Sequence, residues 1–284
     1  MLTASDIDAV CGLVMDLCGV YLDESKGYLI EARLSELVRS HNCETYAEFA
    51  RKARAEQSIK TKIIDAITTN ETLFFRDSSP FDALTNKVIP ETIDAKAGSL
   101  FPRKVRIWSA ACSTGQEAYS IAMTLSDMLP DIMDWDINIL GTDISDEVVA
   151  KASRGWYTSH EIERGMPPAR LNRYFHQENN GWRVNDSLRA LCTFERRNLL
   201  DPNSARGKFD VIFCRNVAIY FTPDARRDLF LRLCTALTTE GWLFVGGQES
   251  LRDLGPQFVP QQHCRAICYR PNMTAATQPV SMFR

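Results

Sequence analysis

The sequence predicts an α/β fold of the doubly wound type, with an all-helical piece in front of it and a small β-rich insertion inside it. Three observations carry this. The apolar stretch from Val105 to Ala111 runs through the small residues Cys112, Ser113 and Thr114 to Gly115, then into a pattern in which Ala118, Ile121, Ala122 and Leu125 recur at helical spacing. A second apolar strand, Ile137 to Gly141, then delivers Asp143 to its tip, 28 positions after Gly115. Residues 1 to about 70, by contrast, carry helical periodicity only.

In chain order, Ser5 or Thr3 can cap a first helix with Val10, Leu13, Val14 and Leu17 on one face. A second helix is expected from Lys26 to Arg39 with Leu29, Ile30, Leu34, Leu37 and Val38 inward. A third opens near Asn42 and Glu44 and holds Tyr46, Phe49 and Ala53, and a fourth spans Ile59 to Ile67. Short loops between amphipathic helices suggest a small antiparallel bundle. Ser79-Pro80 starts a connecting helix to about Ala97, which Gly98 to Pro102 breaks. After Asp143, Ser145 caps a helix of Val148, Val149 and Ala152 closed by Gly155. From Trp156 to Leu191 the α/β rhythm stops: Pro167-Pro168 punctuates, Leu171 to Phe175 reads as a short helix, and Asn179-Asn180-Gly181 is a turn between short extended pieces. The rhythm resumes with Thr193 to Leu199, the strand Phe209 to Cys214, and a helix from Pro223 to about Leu237. Trp242 to Gly246 and Cys264 to Tyr269 read as a closing antiparallel hairpin, and the last dozen residues as a loose tail. The expected units are 1–75 (helical), 76–102 (connecting helix and linker) and 103–284 (the α/β domain, with the insertion at about 156–192).

Composition narrows the class. An apolar fraction of 45% with 24% charged residues is that of a globular protein, and no run approaches the roughly 18 apolar residues of a membrane span. The start, Met1-Leu2-Thr3-Ala4-Ser5-Asp6, is not a signal peptide, which points to the cytoplasm. A net charge of −3 argues against a nucleic-acid partner. The nine cysteines contain no CxxC pair, and Cys11, Cys18, Cys214 and Cys234 sit in apolar contexts, so reduced, buried thiols and no metal site are expected. Charge is uneven near the start: Arg51, Lys52, Arg54, Lys60 and Lys62 face Glu56 alone, and Arg33 and Arg39 lie on the second helix. Such a face is either solvated surface or a landing surface for an acidic partner helix.

A small-residue turn between strand and helix lets backbone N–H groups approach a ligand beside the positive helix start, and an acid at the tip of the second strand is where a doubly wound, Rossmann-like fold holds a ribose. The turn has one glycine rather than GxGxxG, which favours a nucleoside without a pyrophosphate, S-adenosylmethionine being the common one. Upstream, Thr68-Thr69-Asn70-Glu71-Thr72-Leu73-Phe74-Phe75-Arg76-Asp77 combines neutral donors and acceptors, an aromatic wall, and an arginine fork for a carboxylate.

With TTNETLFFRD, WSAACSTGQEAYSIAM, GTDIS, RNLL, FDVIFCRNVAIYF, GGQESL and the ending ICYR in this order, the chain resembles the CheR-type chemoreceptor methyltransferases over nearly its whole length. The resemblance implies a class I methyltransferase that transfers a methyl group from S-adenosylmethionine to glutamate side chains on the cytoplasmic helices of chemoreceptors. It implies a cofactor set of Asn70, Thr72, Arg76, Glu117, Asp143, Asn198, Leu199, Asn216 and Val217. Asp143, Asn198 and Asn216 each follow the end of an inferred strand, in agreement with the bottom-up reading. Tyr220 is the candidate for orienting the incoming carboxylate, a role Arg76 could share, and Arg33, Arg39, Arg51 and Arg54 are candidates for substrate docking. Gln116 and Ala118 replace the Glu and Pro more common around the turn. In the family a longer loop near Gln177 to Gly181 accompanies docking to a receptor C-terminal pentapeptide; the short loop here implies a tether-independent enzyme, expected as a monomer. Two alternatives share the cofactor domain: a nucleic-acid methyltransferase, and a cofactor-sensing module that docks on receptors without catalysis.

Overall fold

Four helices open the chain in the computed structural model, which describes residues 2–272: α1 (Ala4–Cys18), α2 (Gly27–Ser40), α3 (Tyr46–Ala55) and α4 (Gln57–Ile67). Thr3 starts α1 with a capping box. Its side chain accepts from the Asp6 N–H while the Asp6 carboxylate accepts from the Thr3 N–H, satisfying two donors the helix itself leaves open. Gly19 ends the helix in the left-handed conformation at φ 68°. Val10, Leu13, Val14, Ile30, Leu34, Phe49, Ile59 and Ile63 meet in a core of their own. Leu17 and Leu37 are only half-buried at its margin, and Leu29, expected inward as well, is half-buried outside this core.

The connecting rod is α5 (Ser78–Ala83) and α6 (Ile89–Lys96), joined without a break by a π-helical turn over Leu84–Val88. Pro90 stands just past that turn; it offers no N–H, and its ring crowds the preceding turn, which a locally wider helix relieves.

The α/β domain begins with β1 (Lys104–Ala110), α7 (Gln116–Met128), β2 (Asp136–Asp143) and α8 (Asp146–Arg154). The insertion follows as β3 (Trp156–Thr158), α9 (Ser159–Glu163), α10 (Pro168–Tyr174), β4 (Phe175–Glu178), β5 (Gly181–Val184) and α11 (Asp186–Arg189). The main sheet resumes with β6 (Cys192–Arg196), β7 (Phe209–Cys214), α12 (Pro223–Ala236), β8 (Leu237–Phe244), β9 (Phe258–His263) and β10 (Ala266–Pro271). Its seven strands lie in the order β6-β2-β1-β7-β8-β10-β9. The first five are mutually parallel, and β10 is antiparallel to both neighbours. Strand order reverses at β1, so the tips of β1, β2 and β7 open a crevice where doubly wound folds bind ligands.

A parallel sheet must be covered on both faces. Alternate residues of each strand supply two cores. Ile107, Val211 and Phe213 pack with Ile121 and Leu125 of α7 on one side. Trp108, Leu140 and Ile212 pack with Leu229, Phe230 and Leu233 of α12 on the other. The insertion is a three-stranded antiparallel sheet, β3-β5-β4, turned through Asn179 and Asn180 at φ 47° and 60°. Its Tyr157 and Phe175 rings pack edge-on against Phe74, at 5.0 and 5.7 Å between centroids, so the insertion braces the segment that leads out of the helical bundle.

One expectation needs correction. Trp242–Gly246 and Cys264–Tyr269 do pair antiparallel, with Phe244 opposite Cys268, but they do not form a hairpin. β9, which the sequence reading lacks, comes between them in the chain and forms the hairpin with β10, placing β10 inside the sheet. Only Phe258 of β9 is buried, and the strand contains Pro260, which removes a ladder donor. Both features belong to an edge strand, where alternation is weak and proline is tolerated. The expectation of a loose tail falls on residues 273–284, outside the described residues.

Candidate active site

The crevice is built on the turn between β1 and α7. Ala111, Ser113 and Gly115 all take positive φ, at 61°, 50° and 93°. For the two non-glycine residues this conformation costs about 1–2 kcal/mol each, so other contacts must hold it. They are present. The Ser113 N–H donates to Asp143 Oδ2 at 2.9 Å, its hydroxyl donates to the Asn70 carbonyl at 2.8 Å, and the Tyr157 hydroxyl donates to the Thr114 carbonyl at 2.8 Å. Gly115 has no alternative: a Cβ there would stand 2.8 Å from Ala152 Cβ and 3.1 Å from Ala152 Cα.

Below this turn lies a cavity of about 320 Å³, lined by both domains. The helical domain contributes the loop after α1 (Val20, Tyr21, Leu22), the start of α2 (Lys26, Tyr28, Leu29) and residues 67–73. The sheet contributes the tips of β1, β2 and β7. Asn70, Thr72, Arg76, Glu117, Asp143, Asn198, Leu199, Asn216, Val217 and Tyr220 all line this one cavity. Asp143 is 7% exposed, and its burial raises the carboxyl above its usual 3.8 against the opposing pull of the Ser113 and Ser145 N–H groups. Glu117 accepts from the Ser109 hydroxyl at 2.7 Å and from Arg215 at 3.1 Å. Arg76 donates to the Glu71 carbonyl at 3.3 Å and has no ion pair among the described residues. Asn198 donates its amide N–H to the Leu17 carbonyl at 3.0 Å, fastening α1 to the α/β domain. Tyr220 sits on the 3-10 turn Ala218–Tyr220, and its carbonyl accepts from the Tyr21 N–H at 2.8 Å, a second tie between the domains.

The docking arginines lie elsewhere. None of Arg33, Arg39, Arg51 and Arg54 lines the cavity. Arg33 donates to the Ile67 and Thr68 carbonyls at 2.5 and 3.0 Å and to the Thr69 hydroxyl at 3.2 Å, capping the end of α4 and fixing the segment that leads to Asn70. Arg54 pairs with Asp16 at 2.5 Å, and Arg39 donates to the Ser35 carbonyl. Arg51 is exposed on α3.

Two residues that sequence reasoning left without a role organise the site. The Arg215 side chain is 2% exposed and reaches Glu117, Asp77 (2.8 Å) and the Arg76 carbonyl (3.0 Å) at once. A charge directly after the wholly buried strand β7 had to find partners, and that was its signal. Glu249, past β8, accepts the N–H of Asn216 and of Gly246 on Oε2, both at 2.7 Å, and that of Ala218 on Oε1 at 3.1 Å. It holds Asn216 at φ 58° and sets the whole loop from Asn216 to Tyr220.

The donor set fits S-adenosylmethionine. Asp143 is a buried carboxylate at the tip of β2 that can accept from ribose hydroxyls. Leu199 and Val217 give apolar surface for a base, with the amides of Asn198 and Asn216 at its edge. Arg76, paired with no carboxylate among the described residues, and Glu117 suit the two charges of an amino-acid tail. Fold and site together define a class I S-adenosylmethionine-dependent methyltransferase.

Comparison with known proteins narrows this further. The family model for the CheR methyltransferase SAM-binding domain matches residues 70–265, and that for the CheR methyltransferase all-alpha domain matches residues 5–68. The chain belongs to the CheR methyltransferase family and is an S-adenosylmethionine-dependent chemotaxis methyltransferase. It is 37% identical over 258 residues to chemotaxis protein methyltransferase 1 of Pseudomonas aeruginosa, covering 89% of this chain and 93% of that one. It is 38% identical to chemotaxis protein methyltransferase Cher2 of Pseudomonas putida, with the same coverage of each chain. Chemotaxis protein methyltransferase 1 of Vibrio cholerae is 37% identical, with 92% and 94% covered. Among the described residues no helix is long and apolar enough to cross a membrane.

Proposed function

We propose that this enzyme methylates glutamate side chains on the cytoplasmic helices of chemoreceptors, forming the glutamate 5-O-methyl ester and S-adenosylhomocysteine. The observation that carries the reading is the cavity shared by the two domains. Tyr220 and Arg76 line it together with Glu117 and Asp143, and the helical domain forms part of its wall. Asn70, Thr72, Glu117, Asp143, Asn198, Leu199, Asn216 and Val217 hold the cofactor, and Arg76 takes a carboxylate, either the cofactor's or the substrate's.

Bound there, S-adenosylmethionine supplies an electrophilic methyl group. A glutamate carboxylate, with an ordinary pKa of about 4.3, is already ionised at neutral pH and needs no strong base. The task of the chain's own residues is therefore alignment and exclusion of water. The Tyr220 hydroxyl orients the incoming carboxylate, and the contacts of Asn198 and Tyr220 to the helical domain close the site above it. Orientation of this kind is worth on the order of 7–11 kcal/mol.

Exposed Arg39 and Arg51, with Arg33 and Arg54 in their local contacts, form the basic side of the bundle on which an acidic receptor helix lands. The turn at Asn179-Asn180 that joins β4 to β5 is tight, which supports action without a pentapeptide tether; in this reading the enzyme works in the cytoplasm as a monomer. The test is incubation with tritiated S-adenosylmethionine and purified cytoplasmic receptor fragments, DNA or RNA in parallel. Mass spectrometry should place base-labile methyl groups on receptor glutamates. Label on nucleic acid, or on no substrate, would overturn the reading.

A further inference from the structure

Three large apolar side chains exposed to solvent lie at or beside the mouth of the cavity. Tyr21 is 59% exposed, Tyr28 68% and Ile219 56%. Tyr21 and Tyr28 also border the cavity, so they stand at its rim rather than in its interior. Ile219 stands in the chain between Val217 and Tyr220, which line the cavity, and the Tyr220 carbonyl accepts the Tyr21 N–H at 2.8 Å, so the turn that carries Ile219 is tied to the loop that carries Tyr21. We propose that Tyr21, Tyr28 and Ile219 form the docking rim for the substrate helix and read the apolar side chains one turn on either side of the modified glutamate.

This rests on the reading of the substrate given above and extends it to how a site is chosen. A glutamate side chain is short, so a helix that delivers its carboxylate to Tyr220 and Arg76 must lie directly on this rim. On a helix the residues three and four positions away stand on the same face as the glutamate. Those are the side chains that meet Tyr21, Tyr28 and Ile219. Tyrosine suits such a place, since its ring buries apolar surface while its hydroxyl stays wet. Charge agrees with the same occupant. Lys26 and Arg76 border the cavity; Lys26 lies beside the acid Asp23 and the acid Glu71 pairs with Arg164 at 2.7 Å, which leaves Arg76 as the cation without an ion pair among the described residues. The partner that fits is thus an amphipathic helix with an acid flanked by apolar residues at three- or four-residue spacing.

The experiment measures initial rates on a purified cytoplasmic chemoreceptor fragment with the parent enzyme and with Tyr21→Ser, Tyr28→Ser and Ile219→Ser. Calorimetric titration with S-adenosylhomocysteine runs alongside. Each substitution should raise KM for the fragment about five- to tenfold, the usual effect of truncating a buried interface aromatic or aliphatic anchor, with kcat and nucleoside affinity within about twofold of the parent. On the substrate side, replacing the apolar residue one turn from the methylated glutamate by serine should raise KM for the parent enzyme equally. It should add little to Tyr28→Ser, because both remove one contact. An unchanged KM in the enzyme variants and with the altered fragment would overturn the docking rim while leaving the substrate reading intact. No methylation of the fragment by the parent enzyme would overturn that reading instead. A parallel loss of nucleoside affinity would show that the tyrosines belong to the cofactor cavity and also overturns the proposal.

Discussion

Replacing Glu249 by glutamine exchanges one oxygen for an NH₂ group and tests how the loop after β7, which lines the cavity, is held. Oε2 accepts from Asn216 and Gly246, both at 2.7 Å, and Oε1 from Ala218 at 3.1 Å. A glutamine can keep its carbonyl on the first pair of donors, but its NH₂ then faces the Ala218 N–H, donor against donor. One charge-assisted bond is lost, worth about 1.5–3 kcal/mol, and the other two weaken as the charge disappears. Expected is a loss of about 2–3 kcal/mol in urea unfolding of the ligand-free protein. S-adenosylhomocysteine affinity should fall about tenfold, since Asn216 and Val217 line the cavity. The same clamp can be disturbed from its other side. A Cβ at Gly246 would stand 2.6 Å from Glu249 Oε2 and 2.7 Å from Asn216 Nδ2, so Gly246→Ala should show the same combination of losses. If Glu249→Gln unfolds and titrates like the parent, the loop is held by something other than this carboxylate and the reasoning is refuted.

Tyr220→Phe should reduce turnover at least tenfold with S-adenosylhomocysteine affinity near that of the parent; equal losses in initial rate and in calorimetric titration would count against the orienting role. Asp143→Ala should weaken cofactor binding first, by about tenfold or more, and unchanged affinity would show that the β2 tip does not hold the ribose. Because burial raises the Asp143 carboxyl above 3.8, folding favours its protonated form. Its ionisation is therefore an unfavourable contribution to stability at neutral pH, relieved as pH falls through the raised value. Nucleoside affinity should move the opposite way and drop over that window in the parent but not in Asp143→Asn, as titrations at a series of pH values will show. Gly115→Ala combines a left-handed φ of 93° with a Cβ contact of 2.8 Å, and should cost about 2–5 kcal/mol in chemical unfolding. A change below 1 kcal/mol would mean that the turn relaxes freely.

Whatever depends on neighbours in the chain was legible from the residues alone. The apolar run of β1, the glycine that only a positive φ explains, the helical period of α7 and the acid ending β2 each declare themselves within a few positions. So does the capping residue Ser145, while the structure chose Thr3 over Ser5 for the first helix. Strand tips can be read from such local patterns, so Asp143, Asn198 and Asn216 could be placed together before any fold was known, whereas Asn70, Thr72 and Val217 joined them only through the family resemblance; all six line one cavity.

Tertiary structure alone decided the rest. Arg215 meets Asp77 and Glu117 across 138 and 98 positions, Asn198 ties down Leu17 across 181, and Glu249 reaches back 33 to fix Asn216. Arg33, read from the sequence as part of a basic face and a docking candidate, also caps α4, because the carbonyls it meets are brought there only when two helices pack. β9 had no pattern of its own to show, since an edge strand with one buried residue is stabilised by the strand beside it. A polar side chain can bond to whatever donor or acceptor the folded chain brings within 3 Å, whereas an apolar one need only face inward. That is why periodicity revealed the core and the strand tips, and why the partners of the charged residues around them appeared only once the two domains were packed together.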